Sequence, residues 1–388
     1  MKYARSFLQT VFLSASLLIP TSFARQPSTA TSSNENEKTA TVAVVDTPVT
    51  STPAADSLKA VADSIKRENH KPIPMTPAEK KAFQAWLVDL RKEALNKGIS
   101  AKTVAAALPD SLAPIAKVIK YDRSQPEKKA TLEEYLEKRF TDYLIKLARA
   151  QYKEHKGELD QVHAVYPKAP EALVVALWAN ETNCGQLNPK YIFDVIPALV
   201  TLAHDGRRSE FFRGELLKAL KIVDQGHITV KDFEGSWAGA FGQVQFMPSS
   251  FESRAVDFNK DGKKDIWHTH VDVFASAANY MQKAGWNEKE TWGHPVSLKT
   301  PISKDLLGVK IEKSIDFWEQ HGVRMTDGAK IPRGDASATA SVIQPDGPGT
   351  QAYIVFDNFK VILKWNNSTY FATSVSLMYD KVRTTPQP

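Results

Sequence analysis

Large apolar residues are sparse from residue 25 to about 70, recur at helical spacing from about 75 to 165, and then run almost unbroken from Ala172 to Ala179. Phe83, Trp86, Leu87 and Leu90 fall on one face of a helix that Gly98 stops, with structure beginning near Thr76-Pro77. Leu132, Leu136, Phe140, Tyr143, Leu144 and Leu147 outline another amphipathic helix, and the aromatic residues on these faces are assigned to the core. Ile196, Leu199, Val200 and Leu202 predict a third helix. The break Asp205-Gly206-Arg207-Arg208 follows, and then a helix capped by Ser209 that carries Phe211, Phe212, Leu216, Leu217 and Leu220. Beyond about residue 295 the character changes. The pattern there predicts a helix over 306–321, short strands over 338–343, 352–356 and 359–363, and a last amphipathic helix over 368–383. No fixed-period repeat is present.

The run from Ala169-Pro170-Glu171 to Glu181-Thr182 is apolar all round, as in a helix buried inside a domain, with proline suited to its first position. Gly185 lies just past it, so Glu181 falls near the helix C-terminus. Burial and the negative end of the helix dipole both favour the protonated acid. A carboxylic acid held neutral near pH 7 is what a general acid for glycosidic cleavage requires. The alternative at this point is a helix-terminal glutamate paired with an arginine for structural reasons.

Two further stretches carry chemistry. Residues 235–250 are polar and small, with Gly235, Gly239 and Gly242 permitting tight turns and close backbone approach, as in a ligand cleft. Asp257-Phe258-Asn259-Lys260-Asp261-Gly262-Lys263-Lys264-Asp265 fits the first nine positions of an EF-hand loop: oxygen-bearing side chains at one, three, five and nine, glycine at six, and the Lys263 carbonyl at seven. Position twelve is His268 where glutamate is expected, and Asp272 is the nearest later carboxylate. An Asx-rich turn without metal is the alternative; a calcium ion here would be structural.

Composition sets the frame. The chain has 388 residues, 42% hydrophobic and 24% charged, enough for two to three domains or subdomains. The net charge of +6 is a modest lysine surplus and no nucleic-acid arm is present. Lys2 and Arg5 precede an apolar stretch from Phe7 to Pro20, with Ser22-Phe23-Ala24 as a small-x-small cleavage site, so 1–24 reads as an export signal. An uncleaved anchor is the minority alternative. The sole cysteine, Cys184, lies far from that site, which excludes N-terminal lipidation and any intramolecular disulfide. Residues 25–74, rich in Ser, Thr, Ala and Pro, read as a disordered tether. Neither a P-loop nor a His-Glu-x-x-His helix is present.

In this order, Asp122-Arg123-Ser124-Gln125-Pro126-Glu127, Trp178-Ala179-Asn180-Glu181-Thr182-Asn183-Cys184-Gly185, Asp205-Gly206-Arg207-Arg208, Gly239-Ala240-Phe241-Gly242, Gln245-Phe246-Met247-Pro248-Ser249-Ser250, the Asp257 loop, Asn358-Phe359 and Trp365-Asn366-Asn367-Ser368 resemble the lytic murein transglycosylase B family over roughly 75–385. The resemblance implies a mainly α (α+β) protein: a helical N-terminal region (75–165), a lysozyme-like catalytic core (166–295) and a C-terminal α/β segment (296–388) that completes the cleft. It implies cleavage of the MurNAc–GlcNAc bond of peptidoglycan with formation of 1,6-anhydroMurNAc, with Glu181 as sole general acid and base. It further implies Arg207, Arg208, Ser236, Gln245, Tyr280 and Asn366 as substrate-binding residues, and Asp257, Asn259, Asp261, the Lys263 carbonyl and Asp272 around Ca2+. The expected setting is the periplasm, with glycan strands as partner and peripheral envelope association open. Cys184 stands where relatives carry an aromatic, His204 where tyrosine is common, and His268 to Val271 is one residue longer than usual. Two alternatives remain: a peptidoglycan-binding scaffold that has lost turnover, and a muramidase that uses water with Asp205 or Glu210 as second acid.

Overall fold

The structure, a computed structural model, describes residues 53–124, 130–332 and 339–384. The export signal, the start of the tether, Gln125-Pro126-Glu127 and Ala338 lie outside the described residues.

Helix α1 (Pro53–Asn69) is a correction to the tether reading, which extended to residue 74. Polar contacts, not apolar burial, seat its last turn. The fully buried Asn69 donates to the carbonyls of Lys190 (3.2 Å) and Ile192 (2.7 Å), and Lys66 pairs with Asp194 (3.1 Å) and Glu234 (2.7 Å). Composition cannot reveal that kind of anchor. Helix α2 (Pro77–Asn96) opens on a Thr76/Glu79 capping box and buries Phe83, Leu87 and Leu90 as expected. Helices α3 (Ala101–Ala107) and α4 (Ala116–Ser124) follow.

The single helix expected over Leu132–Leu147 is two, α5 (Leu132–Arg139) and α6 (Asp142–Glu154). Thr141 accepts a hydrogen bond from the Leu144 N–H and so starts a new helix where the apolar spacing gave no sign of a break. Helix α7 (Lys156–Val165) leads to α8 (Glu171–Thr182), in which every residue from Ala172 to Thr182 is buried. Strand β1 (Phe193–Asp194) precedes the α9 (Val195–His204) and α10 (Ser209–Asp224) pair. The cap of α10 is Arg208 in the left-handed region (φ 57°), not Ser209, which is already helical. Strand β2 (Glu234–Gly235) pairs antiparallel with β1 beside the glycine-rich loop, which ends in α11 (Pro248–Arg254). The Asp257 loop then runs into α12 (His270–Ala284).

The chain next leaves the helical core for an antiparallel sheet of β3 (Gly293–Leu298), β4 (Lys313–Ser314), β5 (Val323–Met325), β6 (Thr339–Ile343) and β7 (Ala352–Val355), in the order β4-β6-β7-β3-β5. This sheet and the short α13 (Ile315–Gln320) enclose a separate small core around Trp318, Val323, Val342 and Ile354. The helix expected over 306–321 is thus shortened to α13, because Gly308 (φ 127°) interrupts it and Ser314 caps the new start. The strand expected over 359–363 is instead α14 (Asp357–Trp365), since a short apolar run fits either period. Asn358 decides for the helix by donating to the Asn287 and Glu290 carbonyls at 2.8 and 2.7 Å. Finally the expected last helix is α15 (Thr369–Arg383), which Ser368 caps, and it returns to lie along α8. Residues 357–383 therefore belong to the helical core and only 293–355 form the β-containing lobe.

Candidate active site

Helix α8 is apolar because it is enclosed by α15, α6, α12 and α7. That enclosure determines what its two polar positions near the end can do. Asn180 donates to the Ala176 carbonyl (2.8 Å) and accepts from Ser374 Oγ of α15 (2.6 Å). Glu181 is 3% exposed and its carboxyl pKa is raised to about 7. Burial is the largest cause; a hydrogen bond from Trp365 and the charge of Arg139 pull the other way without outweighing it. Arg139 is present and donates to the Asn180 carbonyl (3.3 Å), yet burial outweighs its charge and the Glu181 carboxyl group is not held as an arginine-stabilised carboxylate.

The chain turns sharply after α8 through Asn183 (φ 51°), Cys184 (φ 56°) and Gly185 (φ 82°), with the Asn183 and Cys184 N–H groups returning to the Ala179 and Trp178 carbonyls. Gly185 is required twice over. Its φ is left-handed, and a Cβ there would stand 2.6 Å from Gln243 Oε1. That amide is fixed in place: its oxygen accepts from Trp178 Nε1 (2.7 Å) and its nitrogen donates to the Trp267 carbonyl (2.8 Å). Thr182 Oγ donates to the Gln243 carbonyl (2.8 Å), so the end of α8 and the glycine-rich loop are joined as one unit. Gly242 (φ 71°) allows the loop to press on Ile266, where a Cβ would meet the side chain at 2.6 Å.

The resulting cavity is lined by Glu181, Tyr191, Ser236, Trp237, Gln245 and Trp267, among others. Trp267 stacks on Phe241 with centroids 5.2 Å apart and planes 6° from parallel. Aromatic walls beside a few polar groups suit sugar rings, whose C–H faces are apolar and whose rims are hydroxylated. Trp365, the last residue of α14, closes the site from the C-terminal side by donating its indole N–H to Glu181 Oε1 (2.7 Å).

Of the expected binding residues, Ser236 and Gln245 lie in this cavity. Tyr280 is one step removed: its ring packs on Trp365 (4.7 Å) and its hydroxyl donates to the Lys364 carbonyl (2.5 Å). Asn366 is buried, and its oxygen accepts from the Ser368 N–H (3.2 Å) to begin α15. Arg207 and Arg208 do not line the cavity; both guanidinium groups pair with the fully buried Asp122, Arg207 at 2.9 Å. Asp205 is likewise engaged, with Arg123 at 2.8 Å, and neither it nor Glu210 lines the cavity.

Several site residues went unnoticed in the sequence. Trp365 was passed over for its neighbour Asn366 although it stands in the same motif. Arg139, Tyr191, Asp232 and Glu234 carried no local signal, and Trp237 stands inside the glycine-rich stretch beside Ser236. Asp232 and Glu234 bring carboxylates to the cavity rim, where Glu234 is held by Lys66. Cys184 is buried and its thiol pKa is pushed up to about 12 by desolvation, which makes it unreactive. His204 sits edge-on to Phe83 (5.0 Å) and Trp86 (5.2 Å), filling an aromatic's place by ring contact.

In the Asp257 loop, the Asp257 carboxylate accepts from the Asp261 (3.1 Å) and Gly262 (2.9 Å) N–H groups, and Asp261 Oδ1 accepts from Lys263 N–H (2.8 Å). Asp272, fully buried in α12, takes the Phe258 and Asp265 N–H groups at 2.8 and 2.9 Å and so spans both ends of the loop. Its pKa is raised, first by desolvation and also by the Asp257 charge. Asp265 caps the turn into α12 through the Trp267 and His268 N–H groups, both at 3.0 Å. The donors are all oxygen and two carboxylates face each other, which fits a hard cation.

A mostly helical protein that buries one protonatable carboxyl group at the floor of an aromatic-walled cleft is of the lysozyme-like class. Residues 82–380 match the profile of the transglycosylase SLT domain. The chain belongs to this family, in its lytic murein transglycosylase B branch. It is 31% identical over 226 residues to the membrane-bound lytic murein transglycosylase B of Escherichia coli, a match covering 58% of this chain and 60% of that protein. Among solved structures, SltB3 of Pseudomonas aeruginosa in complex with NAG-NAM-pentapeptide shares 37% identity, covers 78% of this chain and 80% of that one, and has a TM-score of 0.73. The lytic transglycosylase Slt35 of Escherichia coli with bulgecin A shares 25% identity, covers 76% and 92%, and has a TM-score of 0.64; it has also been solved in complex with calcium.

Proposed function

We propose that this protein is a peptidoglycan lytic transglycosylase with Glu181 as its only acid–base residue. The observation that carries the reading is Glu181 itself: a buried carboxyl with pKa raised to about 7, opening on a cavity walled by Trp237, Trp267 and Tyr191. Glu181 protonates the glycosidic oxygen as the C1–O4 bond breaks. The carboxylate left behind accepts the proton of the muramic acid's own C6 hydroxyl, whose oxygen closes on C1 to form the 1,6-anhydro ring. No water is consumed, and the acid ends as it began. Glycosidases that use water or a covalent intermediate need a second carboxyl group; here an internal hydroxyl takes its place. SltB3 has been solved with both NAG-NAM-pentapeptide and NAG-anhNAM-pentapeptide, which supports a substrate and product of this chemical class.

Ser236 and Gln245 contact the bound sugar, while Tyr280 and Asn366 act through Trp365 and the start of α15. Arg207 and Arg208 fix α4 against the α9–α10 turn through Asp122. Asp257, Asn259, Asp261, the Lys263 carbonyl and Asp272 hold a structural Ca2+ that would neutralise their charge and brace the loop against α12. The setting is the cell envelope, reached by export; among the described residues no helix is long and apolar enough to cross a membrane.

Mass analysis of fragments released from purified peptidoglycan, beside Glu181→Gln, tests the proposal. Anhydromuramic ends that disappear in the variant are expected. Reducing ends, about 18 mass units heavier by one added water, would instead give a muramidase, with Asp232 as the second acid to examine. Binding without any release would leave a scaffold.

A further inference from the structure

Away from the cleft, on the opposite side of Trp178, His155, Glu158 and His270 form a cluster that neither the catalytic reading nor the calcium loop uses. One donor atom from each lies within 4.8 Å of the other two. His155 stands at the α6–α7 junction, Glu158 follows one turn into α7, and His270 is the first residue of α12. The two imidazole rings are 4.3 Å apart and packed against Trp178 (5.6 and 5.4 Å) and Phe274 (5.5 and 6.0 Å).

The contacts around His155 orient its two ring nitrogens differently. Gln151 donates its amide nitrogen to Glu154 (2.7 Å), so its carbonyl oxygen is the end that faces His155 Nε2 at 3.2 Å. His155 Nδ1 faces the Glu158 carboxylate oxygen at 2.6 Å, so an imidazole nitrogen and a carboxylate oxygen already stand side by side as two ligand atoms. His270 adds a third donor, and its ring makes no hydrogen bond among the described residues. We propose that His155, Glu158 and His270 bind a divalent transition metal, with Zn2+ the ion best suited.

Two imidazoles and a carboxylate match the borderline-soft preference of Zn2+ and not the all-oxygen preference of Ca2+. The Gln151 contact is the outer-sphere hydrogen bond that orients a ligating histidine. Tetrahedral Zn2+ holds its ligand atoms about 3.3 Å apart, given Zn–N of about 2.0–2.1 Å. The cluster therefore tightens around His270 and opens slightly between His155 and Glu158. Glu158, whose side chain is 41% exposed, is free to make that adjustment. Water completes the coordination. The ion would tie α7 to α12 beneath the helix that carries Glu181, a staple in a chain whose single cysteine forbids a disulfide.

The test uses the full chain, stripped with chelator and then saturated with calcium so that the Asp257 loop is filled. Calorimetric titration with Zn2+, and Co2+ titration followed by visible absorption, should give one saturable site with a tetrahedral Co2+ spectrum. Glu158→Gln and His270→Asn should each weaken binding by about 100-fold, because even outer-sphere changes cost about 10–100-fold. His321→Asn, on the exposed end of α13, should leave it unchanged. Absence of a saturable site, or an affinity equal to the unaltered chain in Glu158→Gln, overturns the proposal and leaves His155 and Glu158 as a local contact without metal. Glu158→Gln decides the matter even if His270→Asn fails to fold.

Discussion

Glu181→Gln should make the protein more stable above neutral pH and leave it nearly unchanged in acid. The magnitude follows from the site. The carboxyl pKa is raised from 4.5 to about 7, mainly by burial. At about 1.36 kcal/mol per unit, the ionised folded state carries a penalty of roughly 3 kcal/mol that the unfolded state does not. The sign is that of an acid whose folded pKa exceeds its unfolded one. Folding stability is whole below about pH 4.5, falls as pH rises through the window to 7, and stays lower by the full amount beyond it. Glutamine cannot ionise, keeps an oxygen for the Trp365 N–H and nearly preserves volume, so it removes the penalty and little else. Thermal melts of both forms at pH 4 and at pH 8.5, with calcium held constant, give the assay. The gap in Tm between them should open by several degrees from the first condition to the second, while transglycosylase activity is lost at both. A gap that does not depend on pH would mean that Glu181 is already ionised at neutral pH, and the account of its burial would be wrong.

Trp365→Phe removes a donor that favours the carboxylate, so the Glu181 pKa should rise further; the alkaline limb of the pH–kcat/KM profile moves to higher pH while the maximum falls. Native Cys184, its thiol pushed up to about 12, should resist a thiol reagent at pH 8 and react fully once the chain is unfolded in denaturant. Chelation of calcium should lower the Tm of the unaltered chain, and Asp272→Asn should abolish most of that difference without moving the Zn2+ isotherm. Asp122→Asn leaves Arg207 and Arg208 without their shared buried partner and should cost about 3 kcal/mol, the scale for breaking a buried ion pair, read as a lowered denaturation midpoint with KM little changed.

Helix α8, the α9–α10 pair and α15 were legible because their apolar periodicity is long and coincides with how the helices are buried. The tie between α1 and the β1–β2 strands was not, since Asn69 and Lys66 achieve it with polar bonds in a stretch that looks like tether. The break between α5 and α6 rests on one threonine hydroxyl, and the helical state of 357–365 on one asparagine amide; neither leaves a mark in the spacing of apolar residues. At the site, Glu181, Ser236 and Gln245 were found because they lie within recognisable motifs. Arg207 and Arg208 were placed with the substrate because arginine suits carboxylates, but a buried carboxylate of the chain's own, Asp122, takes them first. Trp365 and Arg139 reach Glu181 from 184 and 42 residues away along the chain, and only the fold makes them neighbours.

On the proposed reaction, the contact between Trp365 and Glu181 bears on how one carboxyl group serves both halves. An indole N–H donates and never accepts. The oxygen it meets, Oε1, must therefore keep its lone pair, and the proton of the neutral acid belongs on Oε2. With Oε1 engaged, the same oxygen that gives its proton to the departing sugar is the one available to receive the C6 proton. The acid need not rotate between steps. Arg139 and the indole favour the anion that would exist between proton donation and proton return, while desolvation favours the proton's return. The position of the pKa near 7 is then a compromise between those two demands, set on one side by the apolar helix that carries Glu181 and on the other by two side chains that the C-terminal return and α5 bring to it.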